Sequence, residues 1–251
     1  MPPIPAFIEL CWVALVAITL GMWLRGIWLA GQLAGLMPED RARIVTLFAL
    51  ICSVWLLLTG TLATKGVFLD AGSMPPKILL VAGPSVITGI ILSCTRTARS
   101  LLAALPIQYI VGAQSFRIGV EVIFYLLLVH DALPKLMTFE GRNMDIFVGL
   151  TAIPVAILAR KGKLNDALLI AWNVIGLGIL LNVMIHGVIS VPSPIQQIQT
   201  TPVNHFMLHF PYVWLLSLLV PTAFAGHVLS LRQIAIKRKR QASPQPELQQ
   251  A

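Results

Sequence analysis

The residues of this sequence best suited to chemistry lie within an apolar stretch near its centre. Gln114, Arg117, Glu121 and Tyr125 recur there at intervals of three and four residues. On a helix these intervals place the four side chains on one face, and they predict a direct ion pair between Arg117 and Glu121. Because an ionisable group inside a membrane is costly unless it is paired or hydrated, this face is the first candidate for a functional site.

Two interpretations of this face stay open. In the functional one, Glu121 accepts a proton or a cation, while Arg117 adjusts its proton affinity or holds an anionic solute. In the structural one, Arg117 and Glu121 neutralise each other and only fix how the helices pack. The spacing predicts the shared face in both cases.

A second polar stripe lies further along the chain. Asn182, His186 and Ser190 follow each other at intervals of four, with Gly176 and Gly178 one or two turns earlier. Small residues allow two helices to approach closely, and Asn or His can then form hydrogen bonds across the interface. The stripe is therefore either a packing surface or, through Asn182 and His186, the completion of the site at Arg117 and Glu121.

The pair His205 and His209 has the spacing of metal ligands on a helix. With His186 or Asp131 it predicts an outward-facing zinc site. The alternative is a pair of hydrated histidines at the membrane surface. No other cofactor is expected, and no motif identifies a catalytic residue.

Composition indicates that these residues belong to a membrane protein. The chain is 57% hydrophobic and 11% charged, against about 45–50% and about 25% in soluble domains. Its formal net charge of +8 comes from basic residues at the ends of apolar segments rather than on one amphipathic face. This distribution excludes a nucleic-acid surface and favours contact with lipid headgroups.

Seven apolar segments have about the length that a helix needs to cross a bilayer, roughly 17–25 residues. They are Ala6–Leu24, Ile44–Thr64, Ile78–Cys94, Ile107–Val129, Met144–Ala159, Ala167–Val191 and Phe210–Leu231. We expect an all-α integral membrane protein whose residues 1–232 form one bundle of seven transmembrane helices. Residues 233–251 are expected to form a basic and then disordered tail.

The distribution of basic residues predicts the orientation. With the N-terminus outside, most basic residues fall on the inner side, which agrees with the positive-inside rule. These are Arg25, Arg41, Arg43, Arg96, Arg99, Arg160, Lys161, Lys163, Arg232, Lys237, Arg238, Lys239 and Arg240. Removing the fifth span would place Arg160 and the C-terminal cluster outside. The sequence therefore predicts a multi-pass protein of the inner (cell) membrane with a cytoplasmic C-terminus.

Part of the chain resembles a known group of proteins. The matching segments are QSFRIGVEV, LPKLMTFEGRNMDIFVGLTA, WNVIGLGILLNV and PYVWLLSLLVPTAFAGHVLSLR, between Gln114 and Arg232. They resemble a family of uncharacterised bacterial inner-membrane proteins. The resemblance implies a membrane location and a single domain, but no activity. It also draws attention to polar residues at the start of the fifth span, where Asn143 or Asp145 would cap the helix.

Three functional hypotheses follow. The first is a protein that binds or translocates a small solute or a proton at Arg117 and Glu121. The second is a membrane enzyme with an outward metal site at His205, His209 and His186. The third is a structural or assembly subunit in which the buried charges only hold helices together. Membrane lipids are the expected partners in all three, and nucleic acid is not.

Overall fold

The computed structural model describes residues 3–242, and every regular element among them is helical. The helices are α1 (Ala6–Leu33), α2 (Pro38–Thr64), α3 (Leu79–Cys94), α4 (Arg96–Ala104), α5 (Ile107–Ala113), α6 (Phe116–Val129), α7 (Asp145–Arg160), α8 (Asp166–Ser190) and α9 (Val220–Ala242). Short 3-10 turns occur at Val67–Leu69, Lys135–Met137 and Phe206–Leu208, and a π-helical turn, Leu215–Leu219, leads into α9.

Five continuous helical stretches in the described residues are long and apolar enough to cross a membrane. They are α1, α2, the α5–α6 pair, α8, and α9 with its preceding π-turn. A sixth is formed if α3 and α4, which meet at 73°, count as one bent span. α7 has 16 residues, or about 24 Å at 1.5 Å per residue, less than the ~30 Å hydrocarbon core. The prediction of an all-helical protein with several helices able to cross a membrane is confirmed.

Several helices extend beyond the predicted spans. α1 continues to Leu33 rather than ending at Leu24, so Arg25 lies inside the helix. α9 continues to Ala242, which makes residues 233–242 of the predicted tail helical. Helices can extend in this way because a span predicted from hydropathy ends at the first charge, whereas Lys and Arg are good helix formers. The remainder of the predicted tail, residues 243–251, lies outside the described residues.

The break between α3 and α4 has a local cause. Thr95 adopts an extended conformation and its hydroxyl accepts a hydrogen bond from the amide of Ala98, 3.1 Å away. This is an N-cap, so a new helix begins at Arg96 in a new direction. Leu105, the residue before Pro106, is also extended and ends α4, as expected for a residue before proline. α4 was not predicted as a separate helix from the sequence.

The bundle has an N-terminal end, where α1 begins, and a C-terminal end, where α9 ends. The N-terminal end contains a tightly packed aromatic core of Trp12, Phe124, Phe206 and Tyr212. The indole of Trp12 donates to the carbonyl of Pro211, 3.1 Å away. The connections before α7 and after α8 fold into this core, because they bury Leu133, Met137, Asn204, Met207 and Tyr212.

The C-terminal end brings together the ends of several helices, among them the basic end of α9. The side chain of Gln233 donates to the carbonyls of Leu102 and Leu105 at the end of α4. Ala30 of α1 and Ile236 of α9 pack in the same apolar cluster as Leu102. Lys237 and Arg238 both contact Asp166, the first residue of α8, at 3.3 Å. The end of α1, α4, the start of α8 and the end of α9 therefore lie on one side of the bundle.

Candidate functional site

A buried ion pair joins α6 to α7. A guanidinium nitrogen of Arg117, Nη1, lies 3.0 Å from Oδ1 of Asp145. Arg117 is 1% exposed and Asp145 7% exposed, so the ion pair is buried. A charge-assisted contact in such an environment is strong, but it must offset the hydration that both ions lose.

A second buried carboxyl lies beside this ion pair. Oε1 of Glu121, also on α6, accepts a hydrogen bond from the amide nitrogen of Asn143 at 2.6 Å. The same nitrogen donates to the carbonyl of Met137 at 3.0 Å. Oδ1 of Asn143 accepts from the backbone amide of Asp145 at 2.9 Å. Asn143 therefore joins both acidic residues beside the first turn of α7. Met144 occupies the N-cap position of α7 and its side chain makes no capping hydrogen bond, so the prediction that Asn143 or Asp145 caps this helix is wrong.

The charges of this cluster do not balance within the described residues. Arg117 supplies one cation, whereas Glu121 and Asp145 supply two carboxyls, and the ion pair uses Asp145. Oε2 of Glu121 and two guanidinium nitrogens of Arg117 have no hydrogen-bond partner among the described residues. An unpaired buried charge costs much free energy. The second carboxyl therefore needs a bound proton or a bound cation to neutralise it.

The predicted ion pair between Arg117 and Glu121 is wrong, because Arg117 pairs with Asp145 instead. The reason is a close approach of α7 to α6 at Gly149. A Cβ atom at Gly149 would lie 2.9 Å from the backbone nitrogen of Ile118. The missing side chain lets the first turn of α7 lie directly beside Arg117. Sequence spacing within one helix cannot indicate a partner on another helix.

The other two members of the predicted face have different surroundings. The side-chain amide of Gln114 donates to the carbonyl of Ala223 on α9 at 3.0 Å. Tyr125 is 40% exposed and its ring stacks on Phe139, with 5.6 Å between ring centroids. The structure thus brings Arg117 and Glu121 into one buried cluster, directs Gln114 toward α9 and places Tyr125 on the surface.

The stripe on α8 lies at the rim of the cluster. Asn182 donates to the carbonyl of Arg142 at 2.8 Å, and Nη1 of Arg142 lies 3.4 Å from Nε2 of His186. Nδ1 of His186 faces the carbonyl of Asn182 at 2.8 Å, so a neutral ring with its proton on Nδ1 satisfies both contacts. Because Arg142 precedes Asn143, this dipeptide connects the α8 stripe to the cluster at Glu121.

A second buried polar cluster, between α8 and α9, was not predicted from the sequence. Asn173 of α8 donates to the hydroxyl of Ser230 at 2.9 Å, and its carbonyl oxygen lies 3.0 Å from Nδ1 of His227 on α9. His227 and Asn173 are fully buried. A Cβ at Gly176 would lie 2.6 Å from Nε2 of His227. One feature of the sequence could have indicated this cluster. Gly226, His227 and Ser230 interrupt an apolar stretch on adjacent turns of one helix.

The histidine pair at the N-terminal end is in direct contact. The rings of His205 and His209 are 5.3 Å apart on either side of the 3-10 turn Phe206–Leu208, rather than on an α-helix. Burial and the neighbouring His205 lower the pKa of His209, which favours the neutral imidazole that binds metals. In the part of the chain that the structure describes, no three His, Cys, Asp or Glu residues converge as metal ligands. The zinc site stays a prediction.

Most of the chain matches one protein family. Residues 75–235 match the model of a family described as a domain of unknown function, DUF8737. The match includes every residue of both buried polar clusters. It extends further toward the N-terminus than the resemblance between Gln114 and Arg232, and it confirms that the family is uncharacterised. No curated protein and no solved structure matches the chain.

Proposed function

The chain belongs to the DUF8737 family, and from its own residues we propose that it binds a proton at Glu121. We further propose that this proton binding is a step in moving protons or a small solute across the membrane. The observation that carries the proposal is the presence, among the described residues, of two buried carboxyls beside a single buried guanidinium. An ionisable residue inside a membrane is by default a functional candidate, and Glu121 has no cationic partner of its own in the described part of the chain.

The geometry supports Glu121, rather than Asp145, as the exchanging group. The carboxylate of Asp145 accepts from Arg117, and the backbone amide of Asp145 is held by Asn143. Within residues 3–242, Glu121 has one hydrogen bond, through Oε1, and its Oε2 is unpaired. A carboxyl with one free oxygen can gain or lose a proton without breaking an ion pair, whereas protonating Asp145 would leave Arg117 unpaired.

Polar groups on both sides of the cluster support a route to it. Arg142, Asn182 and His186 lie at its rim toward the N-terminal end. Toward the C-terminal end, Gln114 contacts α9 at Ala223, one turn before His227. His227 is in turn hydrogen-bonded to Asn173, and Asn173 to Ser230. Chains of titratable and hydrogen-bonding groups inside membranes are typical of proton relays.

We propose seven spans, with the N-terminal end outside and the C-terminal end in the cytoplasm. The joining of α4, the start of α8 and the end of α9 at one end supports this, because Arg96, Arg160 and Arg240 then share one side. The short helix α7 is the seventh of these proposed spans. Its first turn is enclosed by the connection that buries Met137 and Asn143, so it need not extend through the whole bilayer.

Proton flux in proteoliposomes tests the proposal. A pH gradient is imposed across vesicles that contain a trapped pH-sensitive dye, and wild type is compared with Glu121→Gln. Glu140→Gln is the matched control, because Glu140 is an exposed carboxyl of the same connection and pairs with Lys135 at 3.4 Å. We expect flux in wild type and Glu140→Gln, and its loss in Glu121→Gln. Flux that is equal in Glu121→Gln, or no higher in wild type than in protein-free vesicles, contradicts the proposal.

The contact between His205 and His209 favours a second candidate function, a metal-dependent membrane enzyme. Their rings adjoin and the Nε2 atom of His209 has no hydrogen-bond partner among the described residues. Metal analysis of the purified protein tests it. About one equivalent of zinc in wild type, lost in His205→Ala, is expected for such a site, and less than a tenth of an equivalent in wild type contradicts it.

A further inference from the structure

A large apolar groove lies apart from the two polar clusters. Its volume is about 1500 Å³, above the range of roughly 300–1,000 Å³ of pockets for drug-sized ligands. Among the described residues it is lined by helices α1 to α5 and α9, with side chains such as Phe48, Trp55, Leu92, Leu101 and Leu229. A groove of this size and polarity suits a molecule with long hydrocarbon chains.

The groove occupies the half of the bundle nearer the C-terminal end. It is lined by α1 only from Gly21 onward, by α2 only up to Trp55 and by α3 only from Pro84 onward. These are the parts of each helix nearest the end where α4 and the last turns of α9 meet. Arg117 and Glu121 lie outside the lining. The groove therefore lies at the depth of the leaflet that adjoins the basic end of the protein.

Arg25 is the one charged residue among the described residues that line the groove. It lies 19 residues after the start of α1, or about 28 Å at 1.5 Å per residue, which is close to the thickness of the hydrocarbon core. It is exposed and forms no ion pair with any described residue. A cation at headgroup depth, beside an apolar groove whose described lining holds no carboxylate, complements an anionic headgroup.

The start of α4 adds a second recognition element at the same end. Thr95, Thr97 and Ala98 line the groove. The hydroxyl of Thr95 accepts from the amide of Ala98, which leaves the amides of Arg96 and Thr97 as the unsatisfied donors of the first turn. Free amides at a helix N-terminus bind phosphate oxygens. Arg96 and Arg99 are exposed on the same helix and add positive charge.

We infer that the groove binds an anionic phospholipid, whose phosphate contacts Arg25 and the start of α4 and whose acyl chains occupy the apolar lining. The assignment to the inner leaflet rests on the proposed orientation, while the binding itself depends on neither that orientation nor proton transport. The ligand belongs to the bilayer, so no soluble phosphate compound is required to explain the site.

Native mass spectrometry of the detergent-purified protein tests the headgroup contact. The protein is mixed with equal amounts of phosphatidylglycerol and phosphatidylcholine, and the bound fraction of each lipid is measured. We expect wild type to retain phosphatidylglycerol preferentially, and Arg25→Gln to lower its retention about fivefold, as for one basic contact. Arg160→Gln, which removes an exposed cation outside the groove, should leave retention unchanged. Equal retention of both lipids by wild type, or no change in Arg25→Gln, overturns the inference.

Filling the groove tests the acyl-chain site separately. Gly21 and Gly89 line it, and a Cβ at either position would meet no atom of a neighbouring segment within 4 Å, so a larger side chain can start there without a clash at its first carbon. Gly178→Leu is the matched control, because Gly178 also has open space but lies on α8 outside the groove. The double variant Gly21→Leu/Gly89→Leu should lose both lipids, and Gly178→Leu should retain them. Retention by the double variant overturns the groove as the site. Glu121→Gln should bind lipid like wild type, so a failure of proton transport is distinguishable from a failure of this inference.

Discussion

Arg117 and Asp145 form an ion pair across the α6–α7 interface, 3.0 Å from nitrogen to oxygen, in the buried interior of the bundle. The pair exists because α7 begins beside the first turn of α6, near the middle of the Ile107–Val129 span. Glu121 is held next to it by Asn143. The cluster therefore depends on the way in which two helices and one connection pack, and its parts can be altered separately.

Gly149 permits the close approach that positions Asp145. Gly149→Ala would place a Cβ 2.9 Å from the nitrogen of Ile118 and 3.3 Å from Cβ of Arg117. We expect this variant to lose about 1–3 kcal/mol of unfolding free energy, because overpacking moves α7 away from α6. Gly178→Ala, where a Cβ has open space, should be neutral or slightly stabilising, because alanine is favoured over glycine inside a helix by about 1 kcal/mol. Thermal unfolding in detergent compares the two, and equal melting temperatures would contradict the close approach at Gly149.

Removing one partner of the ion pair should destabilise the protein more than removing both partners. Arg117→Leu leaves Asp145 as an uncompensated buried charge, and Asp145→Leu does the same to Arg117. Each single change should cost about 3–5 kcal/mol, while Arg117→Leu/Asp145→Leu should recover much of that loss. Denaturation of wild type and the three variants in the same detergent completes a double-mutant cycle. Strictly additive losses would mean that the two side chains are not coupled.

In the second polar cluster, we expect one substitution to compensate for the destabilisation caused by another. Gly176→Ala should destabilise the protein, because a Cβ there would lie 2.6 Å from Nε2 of His227. In Gly176→Ala/His227→Ala the combined loss should be smaller than the sum of the two single losses, since the shortened side chain makes room for the methyl group. Melting temperatures of the single and double variants measure this. A double variant no more stable than the additive expectation contradicts the packing of His227 on Gly176.

Hydropathy and helical spacing predicted much of the fold and part of the site. Each predicted span contains a helix, and Arg117 and Glu121 do lie together in a buried cluster. The bend at Thr95 was missed because a capping hydroxyl leaves little trace in hydropathy. The ion pair of Asp145 with Arg117 was missed, and Asp145 was interpreted only as a possible cap. The pairing depends on the approach of two helices at Gly149, which spacing within one helix does not indicate. The buried contact of His227 was missed for a similar reason, since its partner Asn173 is on another helix.

The proposed orientation predicts which connections can be labelled from outside the cell. In a background with Cys11, Cys52 and Cys94 replaced by serine, a single cysteine is introduced as Glu140→Cys or Lys163→Cys, both exposed positions. A membrane-impermeant maleimide added to intact cells should label the first variant, and should label the second only after the membrane is opened. Labelling of both from the same side would contradict an α7 that spans the bilayer.

Infrared spectroscopy of the protein in lipid tests the central claim most directly, because a protonated carboxyl has a C=O stretching band that a carboxylate lacks. We predict such a band from a buried carboxylic acid in wild type at neutral pH, changing reversibly with pH. It should be present in Glu140→Gln and absent in Glu121→Gln. A band that persists unchanged in Glu121→Gln, or its absence from wild type across the pH range in which the protein is folded, would contradict proton binding at Glu121.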